Sequence, residues 1–381
     1  MNWTTKLLSW YSENKRSFVW RSTKEPYRIW LSEIILQQTR TAQGLPYYKN
    51  FIANFPAISD LALAKEDEVL KLWQGLGYYS RERNLHATAK YIHFELKGVF
   101  PTTFKELMKL KGVGDYTASA IASICFDLPE AVVDGNVYRF LSRFFGIDIC
   151  INSSTANKEF KRKATELMDV SQPGEFNQAL MEFGAIQCVP RSPNCSSCTF
   201  AKNCVAFNQN KIQFLPVKTK KTKVVKRHFN YLVIKDPQER YLMEQRTEKG
   251  IWKQLYQFPL VESENQIFTF SELLNIEKLP VRKPNKIRRV TLWNQEPIIH
   301  KLSHQTLFVH FWSIEYEDLL PHGHTKQQLQ KLAVPVVIQK FMANFFSNAN
   351  LFHKFTFTTN LNHLNYERYI KQSNANRSLR G

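Results

Sequence analysis

The chain lacks any apolar run long enough to cross a bilayer, which takes about 20 residues as a helix. Residues Met1 to Trp20 mix Lys, Glu and Arg with Trp and Leu and contain no apolar core of a secretory signal. These absences predict a soluble, cytoplasmic protein with no membrane partner. Cysteine is scarce, with 6 in 381 residues, which excludes a disulfide scaffold in that compartment. Acid is also in short supply. Against 33 Asp and Glu stand 52 Lys and Arg, giving a net charge of +19 and a pI near 9.6. A polyanion is the partner such a surface attracts. No internal repeat is present, so a repeat array is not expected.

The length suits two domains. Residues 1–208 read as mainly helical. Apolar stripes of helical period occur at Leu31–Leu36, Leu61–Leu72, Ala118–Ile124 and Val137–Phe145. Gly75, Gly77, Gly112, Gly114, Pro56 and Pro101 mark turns between them. Residues 209–227 are Lys-rich and read as a basic linker that solvent or phosphate could cover equally well. From residue 228 the period shortens. Asn230–Ile234, Arg240–Glu244 and His300–Trp312 read as strands of a small α+β domain over 228–345. Residues 346–381 are polar and Asn-rich, the composition of a flexible tail.

Four of the cysteines crowd into seventeen residues as Cys188-x6-Cys195-x2-Cys198-x5-Cys204. Four thiolates so close in sequence suit a single [4Fe–4S] cluster or a Zn²⁺ ion. Zinc sites more often use two close pairs, whereas only one CxxC pair occurs here, so the spacing favours the cluster. Nothing beside it is an obvious substrate group, which makes its role structural. Cys125 and Cys150 lie in apolar surroundings and read as small core residues.

Two further features carry chemistry. Gly112-Val113-Gly114 separates two helical stripes and bares backbone N–H groups at the next helix start, where a phosphate binds well; a bare helical hairpin would look the same. Glu33 is a lone acid in an apolar run. It either faces water at a helix edge or sits in a pocket, where its pKa rises and it becomes a general acid. Asp134 precedes Gly135-Asn136-Val137 and suits the N-cap of the next helix. A charged Asp would equally stabilise an oxocarbenium-like sugar.

Taken together, Ser32-Glu33-Ile34-Ile35-Leu36-Gln37-Gln38-Thr39, Gly75-Leu76-Gly77-Tyr78-Tyr79-Ser80-Arg81, Gly112-Val113-Gly114-Asp115-Tyr116-Thr117, Val133-Asp134-Gly135-Asn136-Val137 and the four cysteines resemble the MutY-type adenine DNA glycosylases of the helix–hairpin–helix superfamily. Trp252 to Pro259 and His300-Lys301-Leu302-Ser303-His304 are similar to the Nudix-like domain of that family.

The resemblance implies a multidomain fold. An all-α helix–hairpin–helix glycosylase domain with a [4Fe–4S] loop occupies 1–208, with a helical module at about 24–128 inserted between 1–23 and 129–208. An α+β Nudix-like 8-oxoguanine-recognition domain follows at 228–345. The implied activity is removal of adenine mispaired with 8-oxoguanine or guanine in duplex DNA, by a bacterial-type, nucleoid-associated monomer. Catalytic roles are implied for Glu33, Asp134, Tyr116 and Asn136, and DNA contacts for Gln38, Thr39, Tyr78, Gly112, Gly114, Ser303 and His304. Cys188, Cys195, Cys198 and Cys204 would hold the cluster. The family often carries an aromatic residue where Leu302 stands, so Ser303 and His304 fit its pattern but the wedge is altered.

Rival readings are weighed by single positions. Related glycosylase/lyases for oxidised pyrimidines carry Lys where this chain has Tyr116, and Tyr cannot form a Schiff base. A non-enzymatic iron–sulfur DNA-binding protein would leave Glu33 and Asp134 without a task. A nucleotide pyrophosphatase needs a Glu-rich helix for Mg²⁺, and the carboxylates after Pro259, Glu262, Glu264 and Glu272 among them, do not form the Arg-Glu…Glu-Glu pattern of one. Arg282, Lys283, Lys286, Arg288 and Arg289 read as a second phosphate contact or as a solvated loop.

Overall fold

The computed structural model describes residues 2–219, 224–274, 280–281 and 283–347. The expected tail from residue 348 on lies outside them, as do Lys220, Lys221, Lys223 and Arg282. The chain divides into two compact units, one of residues 1–72 and 78–221, the other of residues 73–77 and 222 on. The division falls inside the stretch read as a basic linker. Among the described residues no helix is long and apolar enough to cross a membrane.

The first unit is helical, with no strand among its described residues. Its helices are α1 (Trp3–Asn14), α2 (Pro26–Leu36), α3 (Thr41–Asn54), α4 (Ile58–Leu63), α5 (Glu66–Trp73), α6 (Tyr79–Lys90), α7 (Phe104–Leu107), α8 (Asp115–Phe126), α9 (Gly135–Phe145), α10 (Ala156–Leu167), α11 (Pro173–Glu182) and α12 (Val205–Asn208). The stripe read as continuous over Leu61–Leu72 is two helices. The Glu68 carboxylate accepts the Lys65 N–H at the break, a local cap that competes with continuation.

Helix α2 starts where Pro26 stands at its first turn and Glu25 accepts the N–H groups of Tyr27 and Arg28. Tyr27, Ile29, Trp30, Leu31, Ser32, Ile34 and Ile35 are buried, so the helix is covered nearly all round. It packs on α3, α6 and α8. A second core joins α1 to the later helices. Leu7 and Tyr11 share it with Val137, Phe140, Phe160, Phe176 and Phe183. Asn177 of α11, fully buried, braces the approach to α9: its Oδ1 accepts the Val132 N–H at 3.0 Å, and its Nδ2 donates to Glu130 O at 2.8 Å and Ser123 Oγ at 2.9 Å. Helix α11 then widens into a π-helical turn over Phe183–Gln187, directly before Cys188.

The second unit contains β1 (Val225–Lys235), β2 (Glu244–Gln245), β3 (Tyr256–Gln257), β4 (Leu260–Ser263), β5 (Ile287–Leu292), β6 (Ile298–Lys301) and β7 (Gln305–Tyr316), with α13 (Phe270–Leu274), α14 (Lys326–Lys331) and α15 (Val336–Ser347). The main sheet runs β4-β1-β7-β5 with β6 also on β7, and β1 lies parallel to β7 from Val225 opposite Gln305 to Lys235 opposite Glu315. Phe229 to Ile234 are all buried, as in a strand covered on both faces. Phe341 of α15 stacks on Phe311 at 3.8 Å on one face, and Phe270 and Leu273 cover Leu232, Trp312 and Ile314 on the other.

Three sequence expectations change. β1 begins at Val225, so Lys226 and Arg227 belong to the sheet. Arg240–Glu244 is no strand; Tyr241 makes isolated bridges and only Glu244 enters β2. His300–Trp312 is a hairpin, because the Leu302 N–H closes onto Gln305 O at 2.8 Å and reverses the chain. The carboxylates after Pro259 form no Glu-rich helix among the described residues. Glu262 pairs with Arg227, and Glu272 accepts the Phe268 N–H. Lys283, Lys286 and Arg288 pair with Asp318 or Glu317, which uses up part of the charge read as phosphate-binding.

Gln254 holds φ 71°, a left-handed backbone that L side chains adopt at a cost, and its Oε1 is buried without a hydrogen-bond partner. Gln254→Gly should therefore stabilise the second unit by about 1 kcal/mol, measured as a shift in the denaturation midpoint of the full chain.

Candidate active site

A cavity of about 200 Å³ opens in the first unit among α2, α8, the start of α9 and α11. Glu33, Tyr116, Asp134, Asn136 and Thr39 all line it. Residues more than 100 positions apart in sequence thus meet. Trp20, Arg21 and Glu182 complete the wall.

Glu33, partly buried, projects from α2 into this cavity. Burial pushes its carboxyl up, the Tyr116 hydroxyl opposes this as a hydrogen-bond donor, the Asp134 carboxylate adds to the rise, and Arg21 opposes it. The balance lies at about 7. Near neutral pH Glu33 can therefore still carry its proton, which is what a general acid requires. Tyr116 is held well above its ordinary pKa by burial and by the neighbouring carboxylates, and stays a neutral donor whose hydroxyl lies 3.6 Å from Met181 Sδ.

Asp134 caps α9. Its Oδ1 accepts the N–H groups of Asn136 and Val137, each at 2.8 Å, and its Oδ2 accepts Asn136 Nδ2 at 2.7 Å. Burial raises its pKa, and these three bonds to the charged form oppose the rise. The cap and the placement of a carboxylate in the cavity are one and the same arrangement. Asn136 is fixed in turn by Arg139, whose Nη2 donates to Asn136 Oδ1 at 2.8 Å while its Nε donates to Cys188 O at 2.7 Å. Gly184, in the π turn, lies so close that a Cβ there would sit 2.5 Å from Asn136 O.

Glu182 is only 2% exposed. Burial would raise its pKa, but hydrogen bonds from Arg16 and Arg21 overcome this and leave it at about 2. Arg16 donates through N, Nε and Nη2 at 2.8–2.9 Å, and Arg21 through Nη2 at 2.8 Å. This ion-paired wall, with Trp20, was not read from the sequence. Its signal was available, since Glu182 is a lone acid in the apolar run Ala179-Leu180-Met181-Glu182-Phe183, as Glu33 is in its own.

The residues read as DNA contacts are placed separately. Gln38 and Tyr78 are exposed and both hold left-handed backbone, φ 54° and 50°. Gly112 has φ 80°, and a Cβ there would meet Asn84 Cβ at 2.7 Å, so this turn needs glycine. Gly114 does not need it for conformation. It is the extended N-cap of α8, and the space where its Cβ would go is open. Ser303 and His304 are exposed at the β6–β7 turn of the second unit.

Cys188, Cys195, Cys198 and Cys204 are free, partly buried, and line one small cavity walled by Phe140, Phe144, Phe183 and Phe200. Among the described residues no three His, Cys, Asp or Glu side chains have metal-holding geometry. The donor set nevertheless fits an iron–sulfur centre: four thiols, an apolar sheath, and N–H donors already aimed at sulfur. Arg143 Nη1 lies 3.5 Å from Cys188 Sγ, and Phe200 N lies 3.4 Å from Cys198 Sγ. Cys125 and Cys150, read as core residues, are only partly buried.

Gly184→Ala should displace Asn136 and with it the hold on Asp134. A loss of about 100-fold in the single-turnover rate is expected, while Gly98→Ala, strained by its left-handed backbone (φ 81°) but away from the cavity, should lower stability and leave the rate within a few-fold. Pre-steady-state measurement on one substrate reads both.

Residues 31–169 match the model of the HhH-GPD superfamily of base excision DNA repair proteins, and residues 230–344 that of the NUDIX domain. An adenine DNA glycosylase of Buchnera aphidicola subsp. Schizaphis graminum is 36% identical over 308 residues, covering 80% of this chain and 84% of its own. The human adenine DNA glycosylase is 44% identical over 209 residues, 52% of this chain and 38% of its own. Among solved structures, a thermostable thymine-DNA glycosylase at 29% identity covers 54% of this chain and 95% of its own with a TM-score of 0.51. With an all-α repair-glycosylase unit, a Nudix unit after it and identity to such relatives along most of its length, the chain belongs to the adenine DNA glycosylase family.

Proposed function

We propose that the chain removes adenine mispaired with 8-oxoguanine or guanine from duplex DNA in base excision repair, and that it is monofunctional and leaves an abasic site. The observation that carries this is the meeting of Glu33, with its pKa at about 7, and the hydrogen-bonded Asp134 carboxylate in one cavity. Two carboxyl groups whose environments differ divide acid and charge-stabilising roles between them.

An adenine inside a duplex must leave the stack to reach such a cavity. Gln38 and Tyr78, both exposed, would fill the gap, with Thr39 and the Gly112–Gly114 turn holding the strand by its phosphates. Trp20 offers the base an apolar face, and the Arg21–Glu182 pair offers its edge both donors and acceptors. Glu33 donates its proton to N7 of adenine. The bond between N9 and C1′ then breaks, its electron pair leaving with the base. Asp134 stabilises the positive charge that develops on the sugar, Tyr116 and Asn136 hold the two carboxyls in place, and water adds to C1′ while its released proton passes to the Glu33 carboxylate.

No lysine lines the cavity among the described residues, so there is no amine for a Schiff base with the abasic sugar. Ser303 and His304 would read 8-oxoguanine, with Leu302 beside them in place of an aromatic wedge. The four cysteines would hold a [4Fe–4S] cluster, which braces the 188–204 loop and contributes no step of the cleavage. The chain would work as a monomer on nucleoid DNA in the cytoplasm.

Glu33→Gln should reduce single-turnover adenine release by more than about 100-fold while leaving duplex affinity within a few-fold; a normal rate would overturn the assignment. The rate should be bell-shaped in pH. It rises as Asp134 ionises, above the ordinary Asp range, and falls as pH passes about 7 and Glu33 loses its proton. A rate flat from pH 6 to 9 would contradict this. Borohydride should trap no stoichiometric adduct at a lysine.

A further inference from the structure

Arg81, in the first turn of α6, is 9% exposed. Its Nη1 donates to the carbonyls of Ile34 at 3.1 Å and Ile35 at 3.0 Å, and to that of Gln37. Both Nη atoms lie 3.4 Å from Thr39 Oγ1. These carbonyls end α2, where a helix leaves its acceptors without internal partners and its dipole favours a cation. Burial lowers the guanidinium pKa only to about 10, so it is charged at neutral pH.

The same guanidinium lies 5.4 Å from the centroid of the Tyr78 ring. Gln38 and Tyr78 share an unusual property, a left-handed backbone at a residue other than glycine, with φ 54° and 50°. Each such residue is strained and persists only where its surroundings fix it. Arg81 contributes to fixing both. It grips Gln37 and Thr39 on either side of Gln38, and it lies against the Tyr78 ring, three residues before it in sequence. The planar fork of arginine can meet several carbonyls and one aromatic ring at once; a lysine ammonium cannot.

We propose that Arg81 is a positioning residue for base extrusion, one strut that keeps Gln38 and Tyr78 set side by side as a wedge and ties that wedge to the end of the helix carrying Glu33. The proposal rests on the adenine-excision reading given above. Its consequence is specific. Loss of Arg81 penalises the step that takes adenine out of its pair, not the protonation that follows.

The test compares single-turnover adenine release by the full chain and its Arg81→Met and Arg81→Lys variants on two duplexes. In one, adenine is paired with 8-oxoguanine; in the other, it lies opposite a stable abasic-site analogue and has no pairing partner. Relative to the unsubstituted chain on the same duplex, Arg81→Met should lose about 100-fold on the paired adenine. On the unpaired adenine, where extrusion is easier, the loss should fall to about 5-fold or less. The basic limb of the pH profile should stay near 7 in both. Arg81→Lys, which keeps the charge and the buried methylenes, should lie between and serves if the Met variant does not fold. Equal losses on the two duplexes, a shifted basic limb, or no loss with either variant would overturn the proposal. If the unsubstituted chain releases no adenine from either duplex, the excision reading falls as well, and that outcome is distinct from the others.

Discussion

The structure is organised around one unfavourable act, the removal of the Glu33 carboxyl from water. A carboxylate in such a place is costly, and the group escapes the cost by keeping its proton. Everything around it sets how far that goes. Helix α2 is packed on nearly all sides, so Glu33 has only the cavity to face. Tyr116 supplies a donor but no charge, and Arg21 is already committed to Glu182. A direct cationic partner would have returned Glu33 to an ordinary acid, ionised at neutral pH. Asp134 is kept different by the opposite means, with three hydrogen bonds to its charged form. Two similar groups in one cavity thus acquire dissimilar chemistry from their surroundings alone.

The hold on Asp134 extends well beyond its own helix. Asn136 is fixed by Arg139, Arg139 by the Cys188 carbonyl, and the backbone of Asn136 by the bare face of Gly184. Asn177 steadies the approach from the other side through the Val132 N–H. The loop bearing the four cysteines is therefore mechanically continuous with the cavity, although none of the four cysteines lines it. A structural centre in that loop would matter for catalysis by what it keeps still.

Much of this was legible in the sequence, for reasons that can be named. Glu33 stood out because an acid in an apolar helical run has few places to go. Asp134 stood out because its N-cap pattern is local, and the structure shows that the cap is what delivers the carboxylate. The cysteine spacing was equally plain. What the sequence hid were contacts between distant segments. Arg16 and Arg21 meet Glu182 across some 160 positions, and Arg81 meets the end of α2 across more than 40. In sequence these arginines look like any other charge in a basic chain. The strand boundaries failed for a different reason. A two-residue reversal at Ser303–His304 leaves the alternation of apolar residues unbroken, so one strand and a hairpin look alike. Gly114 was read as conformational when only Gly112 is, because backbone torsion is invisible until the turn is seen.

The central claim is that dehydration makes Glu33 an acid at neutral pH. Carbon-13 NMR of the full chain labelled at glutamate carboxyls, followed through a pH titration with and without Glu33→Gln, measures it without reference to turnover. One resonance absent from the Gln variant should titrate at about 7. If the resonance lost on substitution titrates near the ordinary value of 4.5, the carboxyl is ionised at rest and the account of the cavity is wrong.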